Sequence, residues 1–359
     1  MTEDAQIALN RHTAEALHER LAHTGLTPAM ARRVIASAIR EGALPQPGPA
    51  MPARVLAAIR PLTFIPRLAR TARVESAGDG FVRYTFRGAG PERFEAVRIP
   101  LLHRPGDRKA VVCVSSQAGC ALGCAFCMTG KMGFQRNLQP WEIVDQVAHV
   151  RADSPEPVRG VVFMGMGEPL LNLDAVLDAA RILSAPYGLA IPGKSITIST
   201  AGIAPGIRRL AAMRAPYRLI VSLASADPAL RAELMPVERQ YPTGELIAAL
   251  REYHAALRRR VTLAWPLIAG VNTRPQDARQ LAGLVQNLPV QLDLIDVNDP
   301  TGRFRPPGDA ERSAFRDALR AALAAPVKRR YSGGKDIHAA CGMLACRGHC
   351  TGLEDFGHV

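Results

Sequence analysis

The sequence predicts an α/β protein in which a partial, TIM-like (β/α)6 barrel follows a small helical N-terminal accessory domain. Two observations lead to this prediction. Beyond Ala110, apolar and β-branched runs alternate with amphipathic helical windows, which is typical of parallel strands covered by helices. Six such strand–helix units follow one another with no signal for a chain reversal, which favours a barrel over an antiparallel sheet.

The first part of the chain has a different pattern. Residues 13–42 have helical periodicity, and this segment ends in the Pro/Gly-rich string LPQPGPAMP. We therefore expect residues 1–75 to form the helical accessory domain. Residues 73–100 then alternate in short segments divided by Gly-Asp-Gly and Gly-Ala-Gly-Pro, which predicts an antiparallel meander in a β-rich connector at residues 76–109.

The barrel is predicted to occupy residues 110–330, followed by a C-terminal tail at 331–359. Its strands are expected at residues 111–116, 160–164, 195–199, 218–224, 261–268 and 290–297. Its helices are expected at residues 141–152, 174–183, 205–214, 243–259, 275–287 and 309–325. Chemistry in such a domain belongs at the carboxyl ends of the strands, and the unusual residues of this sequence follow those strands.

The chain of 359 residues is basic, with 45 Lys and Arg against 32 Asp and Glu. This balance favours a polyanionic partner, most often nucleic acid, although an Arg-rich protein from a GC-rich genome has the same balance. The first residues carry acids and no apolar run, and no later segment approaches the roughly 18 apolar residues of a membrane span. We expect a cytoplasmic protein without membrane contact, in which clustered cysteines are ligands or catalysts rather than structural disulfides. The odd total of seven cysteines points the same way.

Four of the seven cysteines lie in CVSSQAGCALGCAFC. Three of them, Cys120, Cys124 and Cys127, have the spacing C-x3-C-x2-C directly after the first predicted barrel strand. Structural zinc and a cubane iron–sulfur cluster both take four ligands, and no nearby His or fourth Cys at finger spacing completes this set. Three thiolates on a cubane would leave one iron open to an external molecule, which is a catalytic feature.

This loop and the motifs after it resemble the radical S-adenosylmethionine (SAM) superfamily, and in particular the RlmN/Cfr family of RNA adenine methyltransferases. The resemblance rests on motifs that occur in family order between about residues 95 and 344: CVSSQAGC, CALGCAFC with MTGKMGFQRNL, MGMGEPLLN, TISTAG and GGKDIHAACGML. It implies an enzyme with the radical SAM type of partial barrel. It also implies that Cys120, Cys124 and Cys127 hold a 4Fe-4S cluster whose open iron is chelated by SAM, and that electron transfer from the cluster cleaves SAM to a 5′-deoxyadenosyl radical.

Contacts to SAM are expected at the later strand ends. In GMGEP, Gly167 allows close backbone approach to a ligand, and the Glu168 carboxylate can bind an ammonium group. The resemblance places the methionine part of SAM at these two residues and the adenosine side at Asn298. It implies further contacts at Ser199, Ser222, Leu223 and Ala224, with only backbone atoms available at Ala224.

The family mechanism needs two further cysteines because the C2 and C8 carbons of adenine are not nucleophilic. The resemblance implies that Cys341 accepts a methyl group from one SAM molecule, and that a radical from a second SAM removes hydrogen from this group. The methylene radical then adds to adenine, and Cys113 releases the product by forming a disulfide with Cys341. Glu95 matches a glutamate assigned as the base that removes the ring proton. Without the resemblance, Cys113 is typical of a buried apolar residue and Glu95 of a solvent-facing strand residue.

Some positions depart from the family pattern. The family often has His at Ala224, an acidic residue near Ala264 and Trp-Asn-Pro where this chain has VNDP. We therefore predict methylation of an adenine ring carbon, C2 preferred, in ribosomal or transfer RNA, with C8 or another RNA as alternatives. Two other classes stay open, namely a radical SAM enzyme acting on a peptide or small molecule and an RNA-binding module with a structural cluster.

The resemblance also implies an electron donor such as flavodoxin or ferredoxin, and we expect a monomer. The basic string KRRYSGGK from Lys328 is either a phosphate-contacting patch or a solvated charge run. Cys346, His349 and Cys350 lie beyond the family motifs and lack a fourth ligand for a metal, which favours surplus thiols.

Overall fold

The computed structural model of the protein describes residues 6–101 and 108–345. Its strands are β1 Ile7–Ala8, β2 Thr63–Phe64, β3 Ala69–Glu75, β4 Val82–Arg87, β5 Arg93–Leu101, β6 Lys109–Val114, β7 Gln117–Gly119, β8 Phe134–Asn137, β9 Val158–Phe163, β10 Ile196–Thr200, β11 Arg218–Ser222, β12 Val261–Leu267, β13 Val290–Asp296 and β14 Val327–Arg330. Its α-helices are α1 Ala14–Leu21, α2 Pro28–Arg40, α3 Ala53–Ile59, α4 Met128–Lys131, α5 Pro140–Asp153, α6 Leu173–Ser184, α7 Ala204–Ala212, α8 Pro228–Leu234, α9 Thr243–Leu257, α10 Pro275–Leu284 and α11 Asp309–Ala322.

Ten of the strands form one mixed sheet, in the order β14-β13-β12-β11-β10-β9-β6-β5-β4-β3. From β6 through β14 every neighbouring pair is parallel. The remaining pairs, from β3 to β6, are antiparallel. Helices connect the parallel strands, as such connections require. The α/β fold class predicted from the alternating runs is therefore confirmed.

The sheet curls until segments next to its two ends touch. Tyr331, directly after β14, donates its hydroxyl hydrogen to Asp79 in the turn between β3 and β4, over 2.9 Å. The backbone N–H of Gly334 donates to the same carboxylate over 2.8 Å. The rings of Tyr331 and Phe81 pack edge to face with their centroids 6.1 Å apart. The sheet thus surrounds an internal space, as a partial barrel does.

Two features of the sheet differ from the prediction. β14 is a seventh parallel strand, in a segment that the sequence marked only as a basic run. Within the described residues β14 pairs only with β13, so it does not need the apolar run of a central strand. In addition, the meander β3–β5 belongs to the same sheet as the parallel strands, and β3 begins at Ala69, inside the range expected for the accessory domain. The division of the chain into domains stays a prediction.

The N-terminal helices pack against α5, one of the helices that cover the sheet. Thr13 caps α1 and Thr27 caps α2, each by accepting a backbone N–H with its side chain. Arg40, at the end of α2, donates its Nε–H to the carbonyl of Gly188 over 3.0 Å. These helices bury Leu17, Val34 and Ile35, among others, in the same apolar core as the sheet.

Helix α5 is bound to the meander and to the segment before it through two buried carboxylates. Glu142 accepts two hydrogen bonds from the guanidinium of Arg136, each 2.8 Å long, and one from the backbone N–H of Ala89 over 2.9 Å. Asp145 accepts from the backbone N–H of Leu68 over 2.7 Å. Because water cannot reach these carboxylates, losing one of them leaves its donors without a substitute partner.

We expect Glu142→Ala to lower the free energy of unfolding by about 3 kcal/mol, because it leaves the mostly buried Arg136 without its main partner. Urea denaturation measures the change. Glu92→Ala is the matched control, since Glu92 pairs with the same guanidinium but is more exposed, and it should cost little. Equal losses in the two variants would contradict a special role for the buried carboxylate.

Candidate active site

The loop that carries Cys120, Cys124 and Cys127 lies between β7 and α4 and is held by backbone hydrogen bonds to distant segments. The N–H of Cys120 donates to the carbonyl of Gly133 over 2.9 Å. The N–H of Met128 donates to the carbonyl of Gly342 over 2.8 Å. The conformation of the cysteine loop therefore depends on the C-terminal segment.

A buried ion pair supports the same loop from another side. Arg231 on α8 is fully buried, pairs with Glu238, and donates its Nε–H to the carbonyl of Leu223 over 3.2 Å. At the end of α8, the carbonyl of Leu234 accepts from the N–H of Ala125 in the cysteine loop over 2.9 Å. Sequence reasoning missed Arg231 because an arginine in a helical window looks like a surface cation, and only its burial distinguishes it.

A cavity of about 170 Å³ opens beside the cysteine loop, at the carboxyl ends of the parallel strands. Most of the predicted site residues line this cavity: Cys120, Cys124, Cys127, Gly167, Glu168, Ser199, Ser222, Asn298 and Cys341. The fold thus brings together residues from the cysteine loop, from several strand ends and from the C-terminal segment. We call this space the small cavity.

Gly167 and Glu168 form one wall of the small cavity. Gly167 has φ +97°, and a Cβ at this position would lie 2.5 Å from Cβ of Gln117, so only glycine fits. The buried Glu168 accepts hydrogen bonds from the backbone N–H groups of Leu170, over 3.0 Å, and Ala201, over 2.7 Å. Burial raises the pKa of Glu168 to about 7, although these hydrogen bonds act in the opposite direction.

Burial also governs the loop thiols. It raises the pKa of Cys120 to about 12, and it raises the pKa values of Cys124 and Cys127. A buried thiolate needs a compensating positive charge, which a metal supplies. Across residues 6–101 and 108–345, no three His, Cys, Asp or Glu side chains converge on a single ion. A cubane cluster does not require such convergence, because each thiolate binds a different iron.

The side chain of Asn298 has a hydrogen-bond acceptor that no donor of the described residues reaches. Its Nδ2 donates to Ser332 Oγ and to the carbonyl of Asp296, each over 3.1 Å, whereas its Oδ1 is buried with no hydrogen-bond partner among the described residues. A buried acceptor that lacks a donor destabilises the fold, so this position fits a ligand that brings an N–H group. The three thiols, the Glu168 carboxylate and this acceptor fit an iron–sulfur cluster with SAM.

Leu223 and Ala224 do not line the small cavity. Both are fully buried, and the carbonyl of Ala224 accepts from Asn272 Nδ2 over 2.8 Å. Their contact with SAM, implied by the resemblance, stays a prediction.

A second and larger cavity of about 1260 Å³ lies inside the curled sheet. Cys113 on β6 lines this large cavity, and Cys341 lines both cavities. Burial is the main reason that the pKa of Cys113 is raised to about 12, and the nearby Cys341 sulfur acts in the same direction. Both residues are free thiols, so the disulfide between them is not formed in this structure.

The segment that carries Cys341 is fixed on both sides of the cysteine. The N–H of Cys341 donates to Ser332 Oγ over 3.0 Å. Three residues further on, the carbonyl of Leu344 accepts from Thr129 Oγ1 over 2.7 Å. Sequence reasoning missed Ser332 and Thr129, because hydroxyl residues are common and no spacing marked these two.

Glu95 is not the solvent-facing strand residue that its local pattern indicates. It is fully buried on β5, with Oε1 3.2 Å from a guanidinium nitrogen of Arg83. Its Oε2 accepts from the backbone N–H of Ala345 over 3.0 Å. Glu95 lines neither cavity but contacts the segment that carries Cys341. Its role as a base stays a prediction.

Cys346, His349 and Cys350 lie outside the described residues. Within residues 6–101 and 108–345, no helix is both long and apolar enough to cross a membrane.

A thiol loop after the first parallel strand of a curled sheet, facing a cavity at the strand carboxyl ends, is the arrangement of radical SAM enzymes. The profile of the Radical SAM superfamily matches residues 114–282. A crystal structure of a radical SAM methyltransferase from Sphaerobacter thermophilus superposes with a TM-score of 0.84 and 36% identity, covering 94% of this chain and 99% of that chain.

Two curated relatives show which family of this superfamily the chain resembles. A protein named "Probable RNA methyltransferase" from Myxococcus xanthus is 50% identical over 333 residues, covering 92% of this chain and 91% of that protein. The "Dual-specificity RNA methyltransferase RlmN" of Syntrophobacter fumaroxidans is 46% identical over 273 residues, covering 75% of this chain and 78% of that protein. The chain belongs to the RlmN-like RNA methyltransferase family of the radical SAM superfamily, which confirms the resemblance seen in the sequence.

We expect anaerobic reconstitution to load about four irons per chain, with the broad absorbance of a 4Fe-4S cluster, and Cys124→Ala to lose this cluster. Iron analysis and absorbance measure both. Cys113→Ala is the control, because Cys113 lines only the large cavity and the variant should keep its iron. Stoichiometric zinc in place of iron would contradict the assignment of the cysteine loop.

Proposed function

We propose that this protein methylates a ring carbon of adenine in RNA, with C2 preferred, and that the methyl group passes through Cys341. Family membership supports the reaction class, and the names of the two curated relatives support RNA as the substrate. The net charge of +13 agrees with a polyanionic substrate. Ribosomal RNA and transfer RNA are the proposed targets.

The observation that carries this proposal is the position of Cys341 between two cavities. On one side it faces the small cavity, with the loop cysteines and Glu168. On the other side it faces the large cavity, which Cys113 also lines. A side chain that takes a group from a cofactor and passes it to a substrate has to reach both, and proximity of this kind supplies much of the rate enhancement.

The small cavity is the proposed cofactor site. A 4Fe-4S cluster and SAM, when bound there, would supply the methyl group and the radical that activates it. Cys120, Cys124 and Cys127 would hold the cluster. Glu168 would bind the SAM ammonium group, and Asn298 Oδ1 would accept an N–H from the adenosine side.

The two outlying cysteines have different proposed tasks. Cys341 is exposed and can accept a methyl group on its sulfur. Cys113 is buried beside it and can attack the Cys341 sulfur once that sulfur is joined through a methylene group to the base. This attack forms an S–S bond and breaks an S–C bond. The electron pair of the broken bond stays on the carbon, which takes up one proton in place of the proton lost by the Cys113 thiol and so becomes the product methyl group. A thiol reductant then restores both cysteines.

The reaction needs an electron donor, for which we propose a flavodoxin or ferredoxin. A reducing cytoplasm would keep Cys113 and Cys341 as thiols between turnovers. We propose that the chain acts as a monomer.

We expect Cys113→Ala to accumulate a covalent protein–RNA conjugate, because no second thiol remains to displace the tethered sulfur. Cys341→Ala should form no conjugate but should still cleave SAM slowly, since the cluster ligands are unchanged. Both variants should lose at least about 100-fold in turnover, because each lacks a thiol that forms a bond in the reaction. A retarded, nuclease-sensitive gel band measures the conjugate, and mass spectrometry of digested RNA identifies the methylated carbon.

Val112→Ala is the matched control for Cys113→Ala. Val112 is buried next to Cys113 on β6 but does not line the large cavity, so the variant weakens packing without removing a thiol. It should form methylated RNA and no conjugate. Normal turnover by Cys113→Ala would contradict the proposed task of Cys113.

A further inference from the structure

The large cavity has the character of a binding space rather than of a packed core. Its volume of about 1260 Å³ exceeds the roughly 300–1,000 Å³ of most small-molecule sites. Barrel interiors are normally filled by layers of Val, Ile and Leu. Here several inward positions carry polar side chains instead, among them Thr197, Thr262, Gln291 and Asp293. Two thiols alone do not require a polar space of this size.

One end of the large cavity is strongly basic. In the part of the chain that the structure describes, only two carboxylates line the cavity, those of Asp79 and Asp293. The described cationic residues that line it number six: Lys109, Arg159, Arg218, Lys328, Arg329 and Arg330. Four of these six stand at the first or second position of a parallel strand, on β6, β9, β11 and β14. Because the amino ends of parallel strands share one edge, these cations gather at the edge opposite the cysteine loop.

Three of these cations are available to a ligand. Arg159, Arg218 and Lys328 are exposed, and within residues 6–101 and 108–345 none of them forms an ion pair. Arg329, by contrast, is 2.8 Å from a carboxylate oxygen of Asp296. Unpaired cations on a concave surface concentrate positive potential, which attracts a polyanion.

Tyr331 adds an aromatic surface to the same cavity. Its side chain is the most exposed of the large hydrophobic residues described, at 76%. The hydrogen bond to Asp79 and the edge-to-face contact with Phe81 hold the ring in place. Exposed aromatic rings beside cationic grooves bind single-stranded nucleic acid, because a base stacks on the ring while its phosphates contact the cations.

We propose that single-stranded RNA reaches the thiols from the amino-end edge of the sheet, with phosphates on Arg159, Arg218 and Lys328 and one base stacked on Tyr331. This access route rests on the proposed function, in which an adenine has to reach Cys341 and Cys113. RNA and SAM then approach the two thiols from opposite ends of the strands. An unpaired loop fits this route better than a duplex, because a base has to leave its helix to stack on Tyr331.

The cations are tested by the triple variant Arg159→Glu, Arg218→Glu, Lys328→Glu in the reconstituted protein. The matched control is Arg54→Glu, Arg239→Glu, Arg279→Glu, which makes the same change in charge at three exposed cations that line neither cavity. Filter binding of a single-stranded RNA oligonucleotide at several salt concentrations should show at least about 100-fold weaker binding by the first triple, and a salt slope smaller by about 2. The control should stay within about threefold of the unmodified protein, since exposed charges outside the contact are screened by salt.

Tyr331 is tested by comparing Tyr331→Ala with Tyr331→Phe. Loss of stacking should weaken RNA binding about tenfold in the alanine variant. The phenylalanine variant lacks the hydroxyl that binds Asp79 but keeps the ring, so its RNA affinity should match that of the unmodified protein. Equal weakening in both variants would overturn the stacking contact and leave Tyr331 a structural role at the sheet ends.

Two further outcomes separate this route from the proposed function. If the two triple variants lose RNA affinity equally, the proposed access route is wrong, although the protein still binds RNA. No RNA binding by the unmodified protein at low salt would overturn both.

Polyglutamate is the competitor that tests for charge alone. If polyglutamate competes as well as unlabelled RNA does, RNA is not the specific ligand of this cavity. SAM binding without RNA should be unchanged in the basic triple, because none of the three residues lines the small cavity.

Discussion

Parallel pairing of seven strands is the constraint on which the rest of the structure depends. A parallel strand has to return to the same edge of the sheet as its neighbour, so helices carry the chain back across the outer face. The carboxyl ends of the strands then meet in one place. Ser199 on β10 and Ser222 on β11 line the same cavity for this reason, although 22 positions of the chain separate them.

The sequence predicts the parts of this protein whose signals are local. Apolar β-branched runs predict the central strands, and the spacing of Cys120, Cys124 and Cys127 predicts a loop whose three thiols come together, as they do at the small cavity. Features that arise between distant segments could not be predicted. The hydrogen bond from Ala345 to Glu95 spans 250 positions, and the basic strand β14 is recognisable only once β13 lies beside it. The burial of Glu95 is likewise a property of the assembled sheet.

Cys341 combines a fixed backbone with an exposed side chain. Ser332 accepts its N–H, Asn298 lies 3.4 Å from its carbonyl, and Gly342 turns the chain at φ +83°. Cys341 therefore lines both cavities while its backbone is held by these hydrogen bonds. The sulfur of Cys341 moves by rotation about a single bond, Cα–Cβ, between staggered rotamers.

Both outer strands of the ten-stranded sheet are rich in charge. β3 has the sequence ARTARVE, in which Arg70 and Arg73 pair with Asp153, and β14 has the sequence VKRR. An outer strand offers unpaired N–H and C=O groups on which a second chain can add as a further strand, and charged side chains oppose that addition. The cations of β14 therefore also protect the protein against edge-to-edge aggregation. Replacing them with apolar residues would expose the largest sheet of the molecule to self-association at high protein concentration.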